Sequence, residues 1–353
     1  MSSPIKSPTR IPNAITRVMS WVYGFGIGFV NRRYDRGVGV TKLDVPVISI
    51  GNLSAGGTGK TPMVHWVAKQ LIDSGKKPAI AMRGYGAKPG EMGDEEREHR
   101  EALEGVPVVA QPDRIAGLKA LFDSGEQIDC VILDDGFQHR KIARDVDIVL
   151  IDASRPPEFD ALLPRGFLRE TIESLARADV VIITRVDLID ADALVRLKEQ
   201  VHLHAPSVLI CTAAFVWESM RSFCKINHGW EEGHKPLDSC DSKSVRVVCG
   251  IGNADAFVRM IRDHGMETTK IIELADHESI SSKQIDLFTN PANFERLSPV
   301  LMTRKDWVKV RERSAWPMLT RVWVPMLGIE FVSGATEIQS LITDAGIGFL
   351  YRP

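Results

Sequence analysis

The sequence predicts an α/β fold with a mostly parallel sheet sandwiched by helices. Three observations predict it. An apolar, β-branched run leads into a glycine-rich loop and then a helix-spaced stretch between residues 45 and 71. A second apolar run, Asp129 to Leu133, ends in Asp134-Asp135-Gly136. Two more short apolar runs, Ile148–Ile151 and Val180–Ile183, follow with helical stretches between them. Strands that alternate with helices pair in parallel, because each crossover returns the chain to the same end of the sheet.

The first element is Val45 to Ile50 (VPVISI), which reads as a buried strand. Ser54-Ala55-Gly56-Gly57-Thr58-Gly59-Lys60-Thr61 follows Gly51-Asn52-Leu53, and Pro62 to Leu71 has helical spacing. Strand, glycine loop and helix in this order form a P-loop, so the sheet is P-loop NTPase-like. Glycine lets successive backbone N–H groups wrap phosphate oxygens, and the helix N-terminus adds positive potential. Residues Ser54 to Thr61 are therefore the predicted nucleotide cradle. Lys60 reaches the β- and γ-phosphates, and the Thr61 hydroxyl binds Mg²⁺. Ser54 stands where the strict pattern has Gly.

The second element supplies the other half of such a site. A strand ending in Asp places a carboxylate where Mg²⁺ is held, directly or through water. Asp134 and Asp135 are both candidates, and the sequence leaves open which stands closer to the metal. After the fourth strand, Thr184-Arg185-Val186-Asp187 is a distant variant of the Thr-Lys-x-Asp that reads guanine. It supports a second reading, a P-loop GTPase or nucleotide-driven switch at the membrane surface. A plain strand-end turn explains it equally well.

The 353 residues predict about two domains. With 44% hydrophobic and 25% charged residues, the chain is not a disordered, fibrous or multi-span membrane protein. A net charge of −2 gives no push toward nucleic acid, and no nucleic-acid partner is expected. Five dispersed cysteines without a Cys-x-x-Cys pair read as reduced thiols. The charge is unevenly spread: residues 1–44 carry seven Lys/Arg against Asp35 and Asp44, a net +5, which leaves −7 for the rest.

Within that basic segment, Ile15, Val18, Val22, Phe25 and Phe29 recur at three and four, drawing one helical stripe. The uncharged stretch Val18–Val30 has 13 residues, whereas a spanning helix needs about 20. Trp21 and Tyr23 suit a headgroup boundary, and Arg32, Arg33 and Arg36 suit an anionic leaflet. The helix either lies in a membrane interface or packs on the protein's own body.

With these blocks in view, the chain resembles the tetraacyldisaccharide 4′-kinases, the lipid A 4′-kinases of Gram-negative-type bacteria. The matching blocks run nearly end to end. They are Trp21-Val22-Tyr23-Gly24, Gly51-Asn52-Leu53, Gly56 to Pro62, Arg83-Gly84-Tyr85-Gly86 and Gly93-Asp94-Glu95. Further on stand Asp134-Asp135-Gly136-Phe137-Gln138-His139 and Leu163-Pro164-Arg165-Gly166-Phe167-Leu168-Arg169-Glu170. Gly250-Ile251-Gly252-Asn253, Asp276-His277 and Met302-Thr303-Arg304-Lys305-Asp306 complete the set. The family tolerates Ser at the first P-loop position.

The resemblance implies that ATP, with Mg²⁺, donates its γ-phosphate to the 4′-hydroxyl of a tetraacylated glucosamine disaccharide 1-phosphate, giving lipid IVA. It implies a larger P-loop domain and a smaller C-terminal α/β domain joined by a two-stranded linker. It also implies a seat on the cytoplasmic face of the inner membrane, held by the N-terminal helix. The expected division is a membrane-associating segment at 1–44, the kinase domain at 45–217, a loop-rich boundary at 218–244, and the smaller domain with a return segment at 245–353.

Residue by residue, the resemblance gives Asp94 as catalytic base with His277 as its partner, and adds Glu95 to the possible metal set. Lys60, Asp134 and Asp135 complete the predicted catalytic group. Arg83, Arg165 and Arg169 are candidates for phosphate contact, since guanidinium matches phosphate in a fork, with surface ion pairs as the alternative. The acidic run from Glu91 to Glu104 otherwise reads as a solvated helix face. Two departures stand out: Glu96 replaces the family's usual Pro, and Glu278 follows Asp276-His277.

Overall fold

The computed structural model describes residues 13–84, 92–157, 160–227, 229–235, 243–250, 254–273, 281, 285, 298–311 and 316–346. The chain divides into two compact units, Met1–Ala214 with Ile329–Pro353, and Phe215–Gly328.

The first unit opens with helix α1 (Asn13–Asp35). Its sheet contains β1 (Val47–Asn52), β2 (Pro78–Met82), β3 (Val108–Ala110), β4 (Cys130–Asp134), β5 (Val146–Asp152), β6 (Val180–Thr184) and the start of β7 (Leu209–Ile226). The spatial order is β7-β6-β5-β1-β4-β2-β3, with parallel pairing throughout. Strands β1, β2, β4, β5 and β6 are buried along their whole length, which is why they read as unbroken apolar runs. Helices α2 (Lys60–Asp73), α3 (Asp94–Ala102), α4 (Arg114–Asp123) and α5 (Ala191–His204) lie between strands in the chain. Met63, Val64, Val67, Ala68 and Leu71 form the buried face of α2, at the three-and-four spacing that a helix on a sheet requires. The chain reverses direction across the sheet at β1, which has β4 on one side and β5 on the other. Ligands in open α/β sheets bind beyond the carboxyl ends of strands at such a point.

Helix α1 packs in an order opposite to its hydropathy. Its polar Thr16 and Ser20 are buried, while Val18, Trp21, Val22, Phe25 and Phe29 are each more than half exposed. Ser20 Oγ donates to Leu162 O at 2.8 Å and accepts from Arg165 N at 3.1 Å. Asn31 donates to Glu170 at 2.7 Å, and Arg140 pairs with Asp35 at 2.7 Å. The helix thus packs on the body, as one of the two sequence alternatives has it, but through its polar side, and it leaves its apolar stripe uncovered. Among the described residues no helix is long and apolar enough to cross a membrane.

The second unit contains the rest of β7, with β8 (Gly229–Lys235), β9 (Ser244–Cys249), α6 (Ala254–Asp263), β10 (Glu267–Glu273), β11 (Val300–Met302), α7 (Arg304–Val310) and most of β12 (Arg321–Ser333). Strands β10, β9, β11 and β12 run parallel, and β7 forms an antiparallel hairpin with β8. Its two core clusters gather around Trp307, Trp316 and Phe223, and around Trp217, Phe257 and Trp323. Strand β12 carries the chain back to the first unit, where α8 (Ala335–Gly346) packs on α2.

The stretch 218–244 corrects the expectation of a loop-rich boundary. Residues up to Ile226 continue β7, and Gly229–Lys235 pair with it. Trp217, Met220 and Phe223 are buried among polar residues at intervals of three, so the strand shows no period-two alternation that would mark it in the sequence. Residues 236–242 lie outside the described residues.

Candidate active site

Strand β1 ends at Asn52 and α2 begins at Lys60, so the predicted cradle is the connection between them. Gly59 sits before the helix at φ 91° and no side chain caps it. The first N–H groups of α2 are therefore left without a side-chain cap, the arrangement that receives an anion. Gly56 has φ 123°, which only glycine adopts without strain. A Cβ on Gly56 or Gly57 would meet nothing within 4 Å, so there is open space beside both glycines.

The loop is held from its other side. Asn52 Nδ2 donates to Ser54 O at 2.6 Å and to Thr58 Oγ1 at 2.9 Å. Ala55 N donates to Phe167 O at 2.7 Å, and Ser54 bridges Leu168. Arg185 donates to Gly57 O at 2.9 Å and pairs with Asp152. Arg185, which stands where the guanine-reading pattern has Lys, thus braces the phosphate loop. Beneath the loop, a Cβ on Gly51 would lie 2.5 Å from Phe137 Cβ and 2.6 Å from its N, so β1 and the turn after β4 touch backbone to backbone.

That contact brings the two halves of the predicted site together. Lys60 Nζ lies 3.4 Å from Asp135 Oδ1 and donates to Asn52 Oδ1 at 3.3 Å. Arg169 Nη1 donates to both Asp135 oxygens, at 2.9 and 2.7 Å. Asp135 itself has φ 51°, an uncommon conformation for a non-glycine residue, and one that clusters at functional sites. Burial pushes its carboxyl pKa up, but the Lys60 and Arg169 charges outweigh burial and hold it below the usual carboxylate range. Gln138 joins this group to the rest: it donates to Asn52 O at 3.0 Å and to Glu170 Oε1 at 3.1 Å.

Asp134 has a different environment. It is 6% exposed, and its Oδ2 lies 3.0 Å from His99 Nε2. Its Oδ1 is buried with no hydrogen-bond partner. Burial opposes its charge, yet the hydrogen bond and charge of His99, then the charge of Lys60, keep its pKa below the ordinary value. The other ring nitrogen of His99, Nδ1, lies 3.1 Å from His65 Nε2.

Asp94 and Glu95 open α3, a helix whose one buried side chain is His99. The acidic run is the solvated face that its composition predicts, and Asp94 and Glu95 are exposed at its start. Thr61 follows Lys60 in the first turn of α2. His277 lies outside the described residues, as do Tyr85 and Gly86. Of the three candidate arginines, Arg169 is engaged with Asp135. Arg165 lines a cleft of about 460 Å³ beside α1, with Arg17, Trp21 and Leu162. Arg83 is exposed just past β2. Among the described residues no group of three or more His, Cys, Asp or Glu is placed to hold a metal by itself.

Four residues without a role in the sequence reading prove central: Asn52, Gln138, His65 and His99. Asn52 and Gln138 stood inside recognisable blocks. The signal for His99 was present but faint, since in Asp94–Ala102 it is the one ring among eight charged or small residues.

The family model described as tetraacyldisaccharide-1-P 4′-kinase matches residues 13–345. A tetraacyldisaccharide 4′-kinase of Halothermothrix orenii is 32% identical over 324 residues, covering 85% of this chain and 84% of the relative. One from Chlorobaculum parvum is 30% identical, covering 94% of each. The crystal structure of "apo" form LpxK from Aquifex aeolicus in complex with ATP superposes with a TM-score of 0.70 at 27% identity, over 94% of this chain and 99% of that one.

Proposed function

Because the chain belongs to the tetraacyldisaccharide-1-P 4′-kinase family, we propose that it transfers the γ-phosphoryl group of ATP to the 4′-hydroxyl of an acylated glucosamine disaccharide 1-phosphate. The carrying observation is the family match over residues 13–345 in a chain whose P-loop Lys60 stands 3.4 Å from the Asp135 carboxylate.

The residues fit the nucleotide and its metal. The uncapped α2 N-terminus and the open space beside Gly56 and Gly57 suit a triphosphate. The unpartnered Asp134 Oδ1 is an acceptor that a cation or its water shell satisfies. Mg²⁺ is normally bound by one or two carboxylates with phosphate oxygens and water, so the lack of a complete protein cage agrees with it. Asp134 and the Thr61 hydroxyl would hold it, with Glu95 as a further acidic group at the start of α3. Bound there, Mg²⁺ supplies charge neutralisation to the transferring phosphoryl group.

The chain's own groups do the remaining work. Lys60 orients the terminal phosphates and offsets their growing charge. Asp135, held by Lys60 and Arg169, keeps Lys60 aimed until nucleotide competes for it. Asp94 accepts the proton of the 4′-hydroxyl as that oxygen bonds phosphorus, and His277 is its partner in this assignment. The transition state is loose, so positioning matters more than base strength.

The exposed stripe of α1 and the basic residues after it support attachment to an anionic membrane surface, the cytoplasmic face of the inner membrane. Incubation with γ-labelled ATP or GTP, with and without the acylated disaccharide, tests this reading. Label entering the lipid from ATP supports it; GTP hydrolysis with no labelled lipid overturns it.

A further inference from the structure

His99 is completely buried in a helix otherwise made of Asp, Glu, Arg and one terminal Ala. Burying a histidine on such a helix costs free energy unless both ring nitrogens find partners. They do: Nε2 meets Asp134 Oδ2 at 3.0 Å, and Nδ1 meets His65 Nε2 at 3.1 Å. The rings of His65 and His99 pack edge to face, with centroids 5.1 Å apart. Asp134 accepts, so His99 Nε2 carries a hydrogen; in the neutral ring Nδ1 accepts from His65 Nε2–H.

Three elements of the site meet at this ring. His65 lies five residues beyond Lys60 on α2, Asp134 ends β4, and His99 follows Glu95 by one turn on α3. The ring also determines which Asp134 oxygen is left over. With Oδ2 bound by His99, Oδ1 is the unpartnered one.

We propose that His99 is a positioning residue for the phosphoryl-transfer site: it fixes the rotamer of Asp134 so that Oδ1 is presented to the metal, and it docks α3, with Asp94 and Glu95, against the phosphate loop's helix. This rests on the kinase reading above. A partner that orients a metal-binding carboxylate tunes metal affinity far more than nucleotide affinity. The role is thus separable from packing. His99→Leu keeps an apolar side chain in the cavity but removes the donor, whereas His99→Gln keeps a donor near the Nε2 position.

The test uses the full chain and a fluorescent ATP analogue, titrated first without divalent cation and then with increasing Mg²⁺. For His99→Leu, metal-free affinity stays within about twofold of wild type, and the Mg²⁺ needed for half-maximal enhancement rises about 10–100-fold. His99→Gln recovers most of that loss, and kcat for lipid phosphorylation follows the same order with little change in KM for ATP. An unchanged Mg²⁺ requirement in both variants overturns the proposal, as does equal loss in both with the wild-type thermal midpoint. If His99→Leu does not fold, His99→Gln decides alone: a Mg²⁺ requirement within about threefold of wild type supports the role, and a larger loss overturns it. If wild type binds nucleotide with the expected Mg²⁺ coupling but phosphorylates no lipid, the kinase reading fails while the positioning role stands.

Discussion

Asp134 and Asp135 are adjacent in the chain yet face different partners. Asp134 is buried against His99 with one oxygen unclaimed, and Asp135 is held by Lys60 and Arg169 in a left-handed backbone conformation. From these contacts we propose a division of labour, with Asp134 as the carboxylate for the metal and Asp135 as the one that keeps Lys60 in place.

Lys60→Ala removes the cation that the proposed mechanism sets against the transferring phosphate, and it leaves Asp135 with Arg169 alone. We predict a loss of about 10²–10³-fold in kcat, the usual effect of deleting one preorganised charge-stabilising donor. His277→Ala loses less, since in the proposed mechanism it removes a partner of the base and not a contact to phosphate. Steady-state rates at saturating ATP and lipid check the ranking; equal turnover of the two variants contradicts it.

Gly51→Ala tests the backbone contact that joins the two halves of the site. The new methyl would meet Phe137 backbone and Cβ at 2.5–2.6 Å. Neither neighbour is a flexible chain end, so the strand or the turn must shift, at about 1–3 kcal/mol. Urea denaturation should show a lower midpoint, and catalysis should fall further than stability because Asp135 moves with Phe137.

These two predictions draw on features that differ in how far the sequence exposed them. The P-loop, the parallel strands and the Asp-Asp turn were legible because glycine, β-branched runs and strand-end carboxylates each have one dominant local meaning. The β7–β8 hairpin was not, since its buried residues Trp217, Met220 and Phe223 fall at intervals of three and draw no strand-like alternation. His99 was hidden for a related reason: inside an acidic run, a single histidine has no local feature that marks burial. The packing of α1 was inverted relative to simple amphipathic logic, because Ser20 and Asn31 find specific partners on Leu162, Arg165 and Glu170.

The uncovered stripe of α1 predicts a clean separation of binding from folding. Phe25 and Phe29 are 70% and 69% exposed, so Phe25→Ser with Phe29→Ser should leave the thermal midpoint nearly unchanged. Each phenylalanine inserted into lipid contributes about 1.5–3 kcal/mol, so vesicle affinity should fall at least about tenfold per residue. Sedimentation with anionic vesicles measures it, as it does for deletion of residues 1–30. Unchanged co-sedimentation of either protein contradicts the membrane role.

His139 provides a pH prediction. Burial first, then the positive charges of Arg114, Arg144, Lys141 and Arg83, push its pKa down to about 4. The unfolded chain has a histidine pKa of about 6.5 and so binds more protons between these values. The neutral ring's contribution is therefore complete above about pH 6.5 and is lost as pH falls toward 4. His139→Gln cannot titrate and should flatten this part of the stability curve. Thermal melts of both proteins from pH 4 to 7 check it; parallel curves contradict the assignment.

The most direct test of the kinase assignment is ³¹P NMR or mass detection of phosphate added to the acylated disaccharide 1-phosphate, with wild type beside Asp94→Ala. The account predicts one new phosphate on the 4′-oxygen with wild type, ATP and Mg²⁺, and little or none with Asp94→Ala although nucleotide still binds. An unmodified disaccharide with wild type, or full product from Asp94→Ala, would contradict it.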